Sequence, residues 1–359
     1  MITEIEAGRR AFYADMHKAE AERSKPRVLI AGGVGVGKTS LINTLLGKKV
    51  GEVGHGEPTT MSFCEYEDAF VRVIDSRGFE PGDNADDYIE LMRSEVARRR
   101  HHPSIDQHIH LILYCIAGVN ARVPDTDLLL IREIFPSAYT LIVITKNDIT
   151  SSEQRHAMLK RLTDNGVARH RIVCAAARPE DSGVKQLAEK CLALLPAAYR
   201  GAFIAKQQVD LEAKKILAEQ IITMHATIAA GVGWVPVLDM AVIIPMQYRM
   251  VAKLAANYGF GRKEMTNMLW ASGGVTLLGS AVAGGWLLDM IPIYGWLAGM
   301  ANAFAITNAV GKLVNRQLIQ YATRIIKEGA DLADLPPLTI TQDDLAAELA
   351  NGAYAVPAH

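Results

Sequence analysis

Three short stretches hold residues whose types and spacing suit phosphate and purine chemistry. The first is GGVGVGKT, Gly32 to Thr39, which fits G-x-x-x-x-G-K-[ST]. In that pattern the amides of Gly32, Gly33, Val34, Gly35, Val36 and Gly37 would wrap an anion, with Ser40 in the first helical turn beyond them. Lys38 would reach the β- and γ-phosphates, and the Thr39 hydroxyl would take a Mg²⁺ ion. The second stretch is VIDSRG, where Asp75 ends a strand and Gly78 follows three residues on. Asp75 suits Mg²⁺, usually through water, and the Gly78 amide suits the γ-phosphate. Between these two stretches GEPTT offers Thr60, or Thr59, to complete the metal shell; an ordinary surface turn reads the same. Lys38, Thr60 and Gly78 are thus the expected catalytic set, and Thr39, Thr60 and Asp75 the expected metal set.

The third stretch is TKND, Thr145 to Asp148. An ionised Asp148 can accept from the two guanine donors on N1 and N2, whereas adenine presents an acceptor at N1 and no amino group beside it. Each charge-assisted bond is worth about 1.5–3 kcal/mol, and the wrong base leaves the carboxylate unpaired. The Lys146 stem can lie against the base. TKND alone also reads as an Asn-Asp turn. Downstream of a phosphate loop, at the end of a later buried strand, it becomes specific. Ala175 and Ala176 of CAAA end the following strand, where small side chains let a base approach backbone amides. The expected ligands are therefore GTP or GDP with Mg²⁺.

These residues need a scaffold that brings strand ends together. RVLIAG, IHLILYCIAG, TLIVITKND and RIVCAAA are apolar runs that read as buried strands; MSFCEYEDAF and VRVIDS read as a strand pair. Helical segments separate them, including GKTSLINTLLG, residues 152–165 and residues 183–195. The alternation predicts an α/β fold with a mainly parallel sheet. A helix over 3–24 begins with a Thr3/Glu6 capping box and stops at Pro26. From Tyr199 to Ala230 the chain reads as one long helix, and no strand signal follows. The resulting division is 1–25 helix, 26–196 α/β domain, 197–330 all-α hydrophobic domain, and 331–359 tail with a short helix over 342–351.

With 359 residues and a net charge of −1, the chain gives no electrostatic case for a nucleic-acid partner. Cys64, Cys115, Cys174 and Cys191 are scattered and read as reduced thiols of a cytoplasmic protein. The acidic N-terminus without an early apolar run does not read as a cleaved secretion signal. RRRHH, Arg98 to His102, closes a helix and reads as complementing its dipole; phosphate or lipid binding is the sharper alternative. His108 and His110 read as structural.

Residues 26–196, with all five nucleotide motifs in order, resemble translation-factor-class small GTPases of the Era/septin-like group. GKTSLINTLLGKKVGEVGHGEPTT and IHLILYCIAG carry the likeness to bacterial members. Two residues depart from common patterns. Phe79 stands where Ras-like enzymes carry a water-orienting glutamine, and Gly35 where potassium-activated relatives carry asparagine. Residues 199–325, with YRGAFIAKQQVDLEAKK and VPVLDMAVIIPMQYRMVAKLAANYGF, resemble the C-terminal module known as domain of unknown function 697. That resemblance implies architecture and a membrane link, and no reaction.

One stretch of the second half stays open between two readings. Met265 to Leu288 and Met290 to Gly311 are uncharged runs of 24 and 22 residues around Asp289, each long enough to span a bilayer. Trp270 and Trp286, and basic residues outside both runs, suit a hairpin with its ends at the inner face of a membrane. Many glycines, with Asn267, Asn302 and Asn308, suit the centre of a helical bundle instead. The function expected is a slowly hydrolysing GTP-binding switch whose helical domain delivers the output, by self-association, a protein partner or a membrane. A dynamin-like membrane-remodelling GTPase and a nucleotide-stabilised scaffold are the rivals. RNA or ribosome work is disfavoured by the neutral charge.

Overall fold

The computed structural model describes residues 24–47, 58–60, 63–80, 82–135, 137–232, 239–260, 295–328, 330, 335, 336, 338 and 340–351. The helix expected over 3–24, apart from Ser24, and the apolar run 265–288 lie outside them. The chain forms two compact units that divide between Asp210 and Leu211.

The first unit is built on one sheet. Its strands are β1 (Arg27–Gly32), β2 (Pro58–Thr60), β3 (Phe63–Glu67), β4 (Arg72–Ser76), β5 (Leu111–Ala117), β6 (Thr140–Thr145) and β7 (Ile172–Cys174). They lie in the order β2-β3-β4-β1-β5-β6-β7. β4, β1, β5, β6 and β7 run parallel; β2 and β3 are antiparallel additions at one edge. The helices are α1 (Lys38–Leu46), α2 (Ala85–Arg100), α3 (Asp125–Leu129, continued by a π turn over Leu130–Ile134), α4 (Ser152–Asp164), α5 (Ser182–Leu194) and α6 (Ala197–Lys206).

Side chains of a strand alternate between faces, and here both faces are buried. Val28 and Ile30 of β1 join Leu41 and Leu45 of α1, Leu187 and Cys191 of α5, and Tyr199 and Phe203 of α6. Leu29 and Ala31 join Met92 and Val96 of α2, Leu128 of α3, and Met158 and Leu162 of α4. Every residue of β1, β5 and β6 is buried. That explains the unbroken apolar runs in the sequence, since neither face meets water. Each aliphatic side chain so buried contributes about 1.5–3 kcal/mol.

The single long helix expected from Tyr199 to Ala230 is two helices. The break is made by Gln207, which is fully buried. Its side-chain oxygen accepts from the amides of Val209 and Asp210 at 2.9 and 2.7 Å, and its Nε2 donates to the Asp210 carbonyl at 2.6 Å. One amide side chain thereby replaces the helical bonds that the turn forgoes. The Gln208 amide then donates to the Leu45 carbonyl at 3.0 Å, tying the turn to the end of α1. α6 accordingly packs with the sheet, and the first unit extends to Asp210.

The second unit contains α7 (Leu211–Val232), α8 (Asp239–Asn257), α9 (Gly295–Thr323) and α10 (Gln342–Asn351). Its core joins Ala218 and Ile222 of α7, Met250 and Leu254 of α8, and Val310, Val314 and Leu318 of α9. Gly311 allows the closest approach: a Cβ there would lie 2.9 Å from Ile222. Several polar groups inside this core are paired, while Oδ1 of Asn257 and of Asn308 are buried without a hydrogen-bond partner. Tyr258 donates to Asn315 at 2.7 Å, and Lys214 and Asn257 exchange bonds with each other's carbonyls at 3.2 and 2.7 Å. Residues 303–311, the described end of the second apolar run, are packed into this protein core. Among the described residues no helix is long and apolar enough to cross a membrane.

Asp127 of α3 accepts from the Tyr114 hydroxyl at 2.7 Å, and burial raises its pKa from 3.8 to about 6. Between those values the native state holds a proton that the unfolded state has lost, so stability falls as pH rises through this window. Asp127→Asn keeps the acceptor and removes the charge. The variant should be about 2–3 kcal/mol more stable than wild type at pH 8 and equal to it near pH 3.5. Hydrogen exchange at β5 amides measures this for the first unit; equal protection at pH 8 would contradict it.

Candidate functional site

The carboxyl ends of the parallel strands gather the residues singled out by their spacing. Gly32 is the last residue of β1, and the loop to Gly37 delivers Lys38, Thr39 and Ser40 into the first turn of α1. Gly32 has φ +139°, and a Cβ would sit 2.2 Å from the Cys115 carbonyl of the neighbouring strand. Only glycine fits there. Val36 is buried and anchors the loop in the core beside Leu41, while Val34, Gly35, Thr39 and Ser40 face solvent.

Lys38 folds back over this loop. Its ammonium donates to the carbonyls of Gly32 and Gly33 at 3.0 and 2.9 Å. Burial holds its pKa down, and the Asp75 carboxylate opposes that shift. Asp75 lies in β4 beside Ile30 of β1. Burial raises its pKa; Lys38 and a hydrogen bond with Thr39 act the other way. Its Oδ1 is buried without a hydrogen-bond partner. A lysine, a threonine hydroxyl and a carboxylate with a spare oxygen therefore converge at the head of α1.

Gly78 approaches the loop from the side. A Cβ there would lie 2.6 Å from the Val34 amide nitrogen, and that amide donates to the Phe79 carbonyl at 3.1 Å. The Phe79 ring leans toward the core, 5.3 Å from the ring of Tyr88. Thr60 ends β2, its backbone opposite Phe63.

The second cluster lies at the ends of β6 and β7. The Thr145 hydroxyl donates to the Val36 carbonyl at 2.5 Å, with the Ile116 carbonyl a second acceptor at 3.2 Å. Lys146 takes a left-handed conformation with φ 56°, and a short turn over Asn147–Ile149 presents Asp148. Asp148 is paired with Arg178 at 2.8 Å. The amides of Ala175 and Ala176 are used inside the fold: they donate to the Ile144 carbonyl at 2.9 Å and to Asp181 at 3.1 Å. The structure thus brings the phosphate loop, Asp75 and Gly78 into one cluster, and joins the TKND turn to it through Thr145.

Residues 27–146 match the family model described as 50S ribosome-binding GTPase, about a third of the chain. The first unit carries a P-loop GTPase domain. Among named relatives, magnetosome membrane protein 22 of Magnetospirillum gryphiswaldense is 27% identical over 133 residues. That match covers 35% of this chain and 63% of the relative, less than two thirds of its length. Among solved structures, a probable GTP-binding protein engB is 17% identical, covers 47% of this chain and 97% of its own, and has a TM-score of 0.35. Toc33 from Arabidopsis thaliana, in complex with Mg²⁺ and GMPPNP, is 20% identical, with 48% and 80% coverage and a TM-score of 0.31.

Sequence reasoning missed Arg178, the acceptor role of Val36, and Asp181, whose Oδ1 caps α5 and takes the Ala176 amide. Only Asp181 had a local signal, an Asp before a helix start. The other two depend on residues 30 and 109 positions away along the chain.

Gly78→Ala tests the contact between the two halves of the phosphate end. The added methyl must push the Val34 amide away and break its bond to Phe79. The Val34 amide should exchange with solvent about 5–10-fold faster than in wild type. Unchanged exchange at Val34 would show that the contact is not held in solution.

Proposed function

We propose that this chain is a GTP-binding switch in which Asp148 selects guanine, and Lys38, Thr39 and Asp75 hold the β- and γ-phosphates with Mg²⁺. Thr60 completes the metal shell and Gly78 senses the γ-phosphate. The observation that carries this reading is the bond from Thr145 to Val36, which sets the TKND turn beside the phosphate loop. The donor set suits the ligands: exposed loop residues at a helix N-terminus for the phosphates, and a carboxylate oxygen without a partner for the metal. When bound, Mg²⁺ neutralises charge on the phosphate oxygens.

Arg178 competes with the base for Asp148. It is an exposed arginine, and such a pair is worth about 0–1 kcal/mol. Two bonds from guanine to the same carboxylate are worth about 1.5–3 kcal/mol each, so guanine prevails. Adenine offers neither bond. Wild type should therefore bind GDP far more tightly than ADP, and Asp148→Asn should lose GDP affinity while gaining XDP. Calorimetry showing equal affinity of wild type for GDP and ADP would sink the base assignment.

Hydrolysis by the isolated monomer is slow in this reading. The ring of Phe79 packs toward Tyr88, at a position where a polar side chain could orient the attacking water. A missing charge-stabilising finger alone accounts for a factor of about 10³–10⁵. The output passes to the helical unit, whose undescribed apolar residues 265–288 are the reason to include a membrane. Turnover per molecule should rise with protein concentration or on adding phospholipid vesicles. Turnover that stays flat across both series, or that equals Lys38→Ala, would leave the scaffold reading in its place.

A further inference from the structure

The opposite end of β6 carries a cavity of about 690 Å³ that the nucleotide reading does not use. Its walls come from the end of α2, the π turn after α3, and the loop between α4 and β7. It is remote from the phosphate loop: Thr140 and Thr145 bound β6, about 17 Å apart along an extended strand.

Three arginines line this cavity, Arg100, Arg132 and Arg171. Arg171 is 9% exposed. Its Nε donates to the Thr140 carbonyl at 3.1 Å, which fixes the plane of the group. Its Nη2 is buried with no hydrogen-bond partner. A buried donor left unmade costs stability, so this nitrogen calls for an acceptor. Two carboxylates share the lining, Glu133 and Asp164. Asp164 is already paired with Lys160 at 2.7 Å, so the balance inside the cavity is cationic. Phe135, almost fully buried, gives it an apolar wall.

We infer that this cavity is a second anion site, built for the phosphate monoester of a small or lipid-borne organic molecule. A tetrahedral oxyanion can take one bond from the guanidinium of Arg171, which Thr140 holds in place, and one from each exposed arginine. The apolar wall at Phe135 receives the organic body. The site is independent of the nucleotide assignment, because none of its lining residues belongs to the phosphate loop or the TKND turn.

Calorimetry with phenyl phosphate tests it, on the full chain carrying Lys38→Ala so that the phosphate loop is silenced. One molecule should bind per chain. Adding Arg100→Ala and Arg132→Ala, both exposed positions that leave the core intact, should weaken binding about ten-fold or more. A parallel series uses phosphatidylcholine vesicles with and without phosphatidate. Binding to phosphatidate vesicles alone, lost in the same double variant, keeps the phosphate chemistry and assigns it to a lipid headgroup. Absence of binding to both probes, or binding that survives the two substitutions, overturns the proposal.

Discussion

The hydroxyl of Thr145 is the joint on which the nucleotide end of the domain depends. Its proton goes to Val36 at 2.5 Å, in the phosphate loop, and the Ile116 carbonyl stands by at 3.2 Å. Val36 and Thr145 are 109 residues apart. The contact exists because β1, β5 and β6 are adjacent and parallel, so all three end at the same rim. With β6 reversed, the two clusters would lie at opposite ends of the sheet. Buried on every side, the hydroxyl finds no water to replace a lost partner, and removal of either group would cost about 1–3 kcal/mol. In the proposed reading a phosphate cradle and a base reader act on one molecule, which requires a fixed separation, and this bond holds the two loops together.

The other rim of the sheet is organised by charge. Arg27 at the start of β1 lies 2.6 Å from Glu65, which also pairs with Arg99 at 2.7 Å. Arg99 and Arg98 both pair with Glu95. Two of the three arginines in RRRHH are therefore committed to ion pairs, and Arg100 alone of them reaches the cavity. His110 belongs to the same rim. Its Nδ1 accepts from the Arg27 amide at 2.9 Å, its ring lies 4.0 Å from Tyr199, and burial pushes its pKa down to about 4. A neutral imidazole is what an acceptor nitrogen requires, so the burial and the hydrogen bond agree. One rim is held by ion pairs and the His110 bond, while the other leaves Val34, Gly35, Thr39 and Ser40 facing solvent.

The sheet was legible from the sequence because its parallel strands are covered on both faces, which leaves unbroken apolar runs of β-branched residues. The phosphate loop was legible because its demands are local: Gly32 must be glycine where Cys115 approaches, and Lys38 must follow at fixed spacing. Side chains that act across the fold left no such trace. Gln207 is an ordinary helix former, and nothing beside it announces that its amide will close a turn. Arg178 and Asp148 meet only after β6 and β7 pair. The apolar run ending at Gly311 was ambiguous for a different reason. Hydropathy measures exclusion from water, and lipid and protein interior exclude it alike. Of residues 303–311, Ala309 and Val310 are buried against the unit's own helices.

How a change at the phosphate end could leave the domain follows from α1. Lys38 begins this helix and Leu46 ends it, a length of about 13 Å. Its first turn carries Lys38, Thr39 and Ser40. Its last turn accepts, at Leu45, the amide of Gln208. A Cβ on Gly47, just beyond, would come within 2.5 Å of the Gln208 side chain, so the turn sits tight against the helix end. Gln207 makes that turn rigid with three bonds, and α7 starts at Leu211. Between these ends α1 packs in the core it shares with α5 and α6. The first unit thus joins its phosphate loop to its own exit through one element, and the second unit is continuous with that exit.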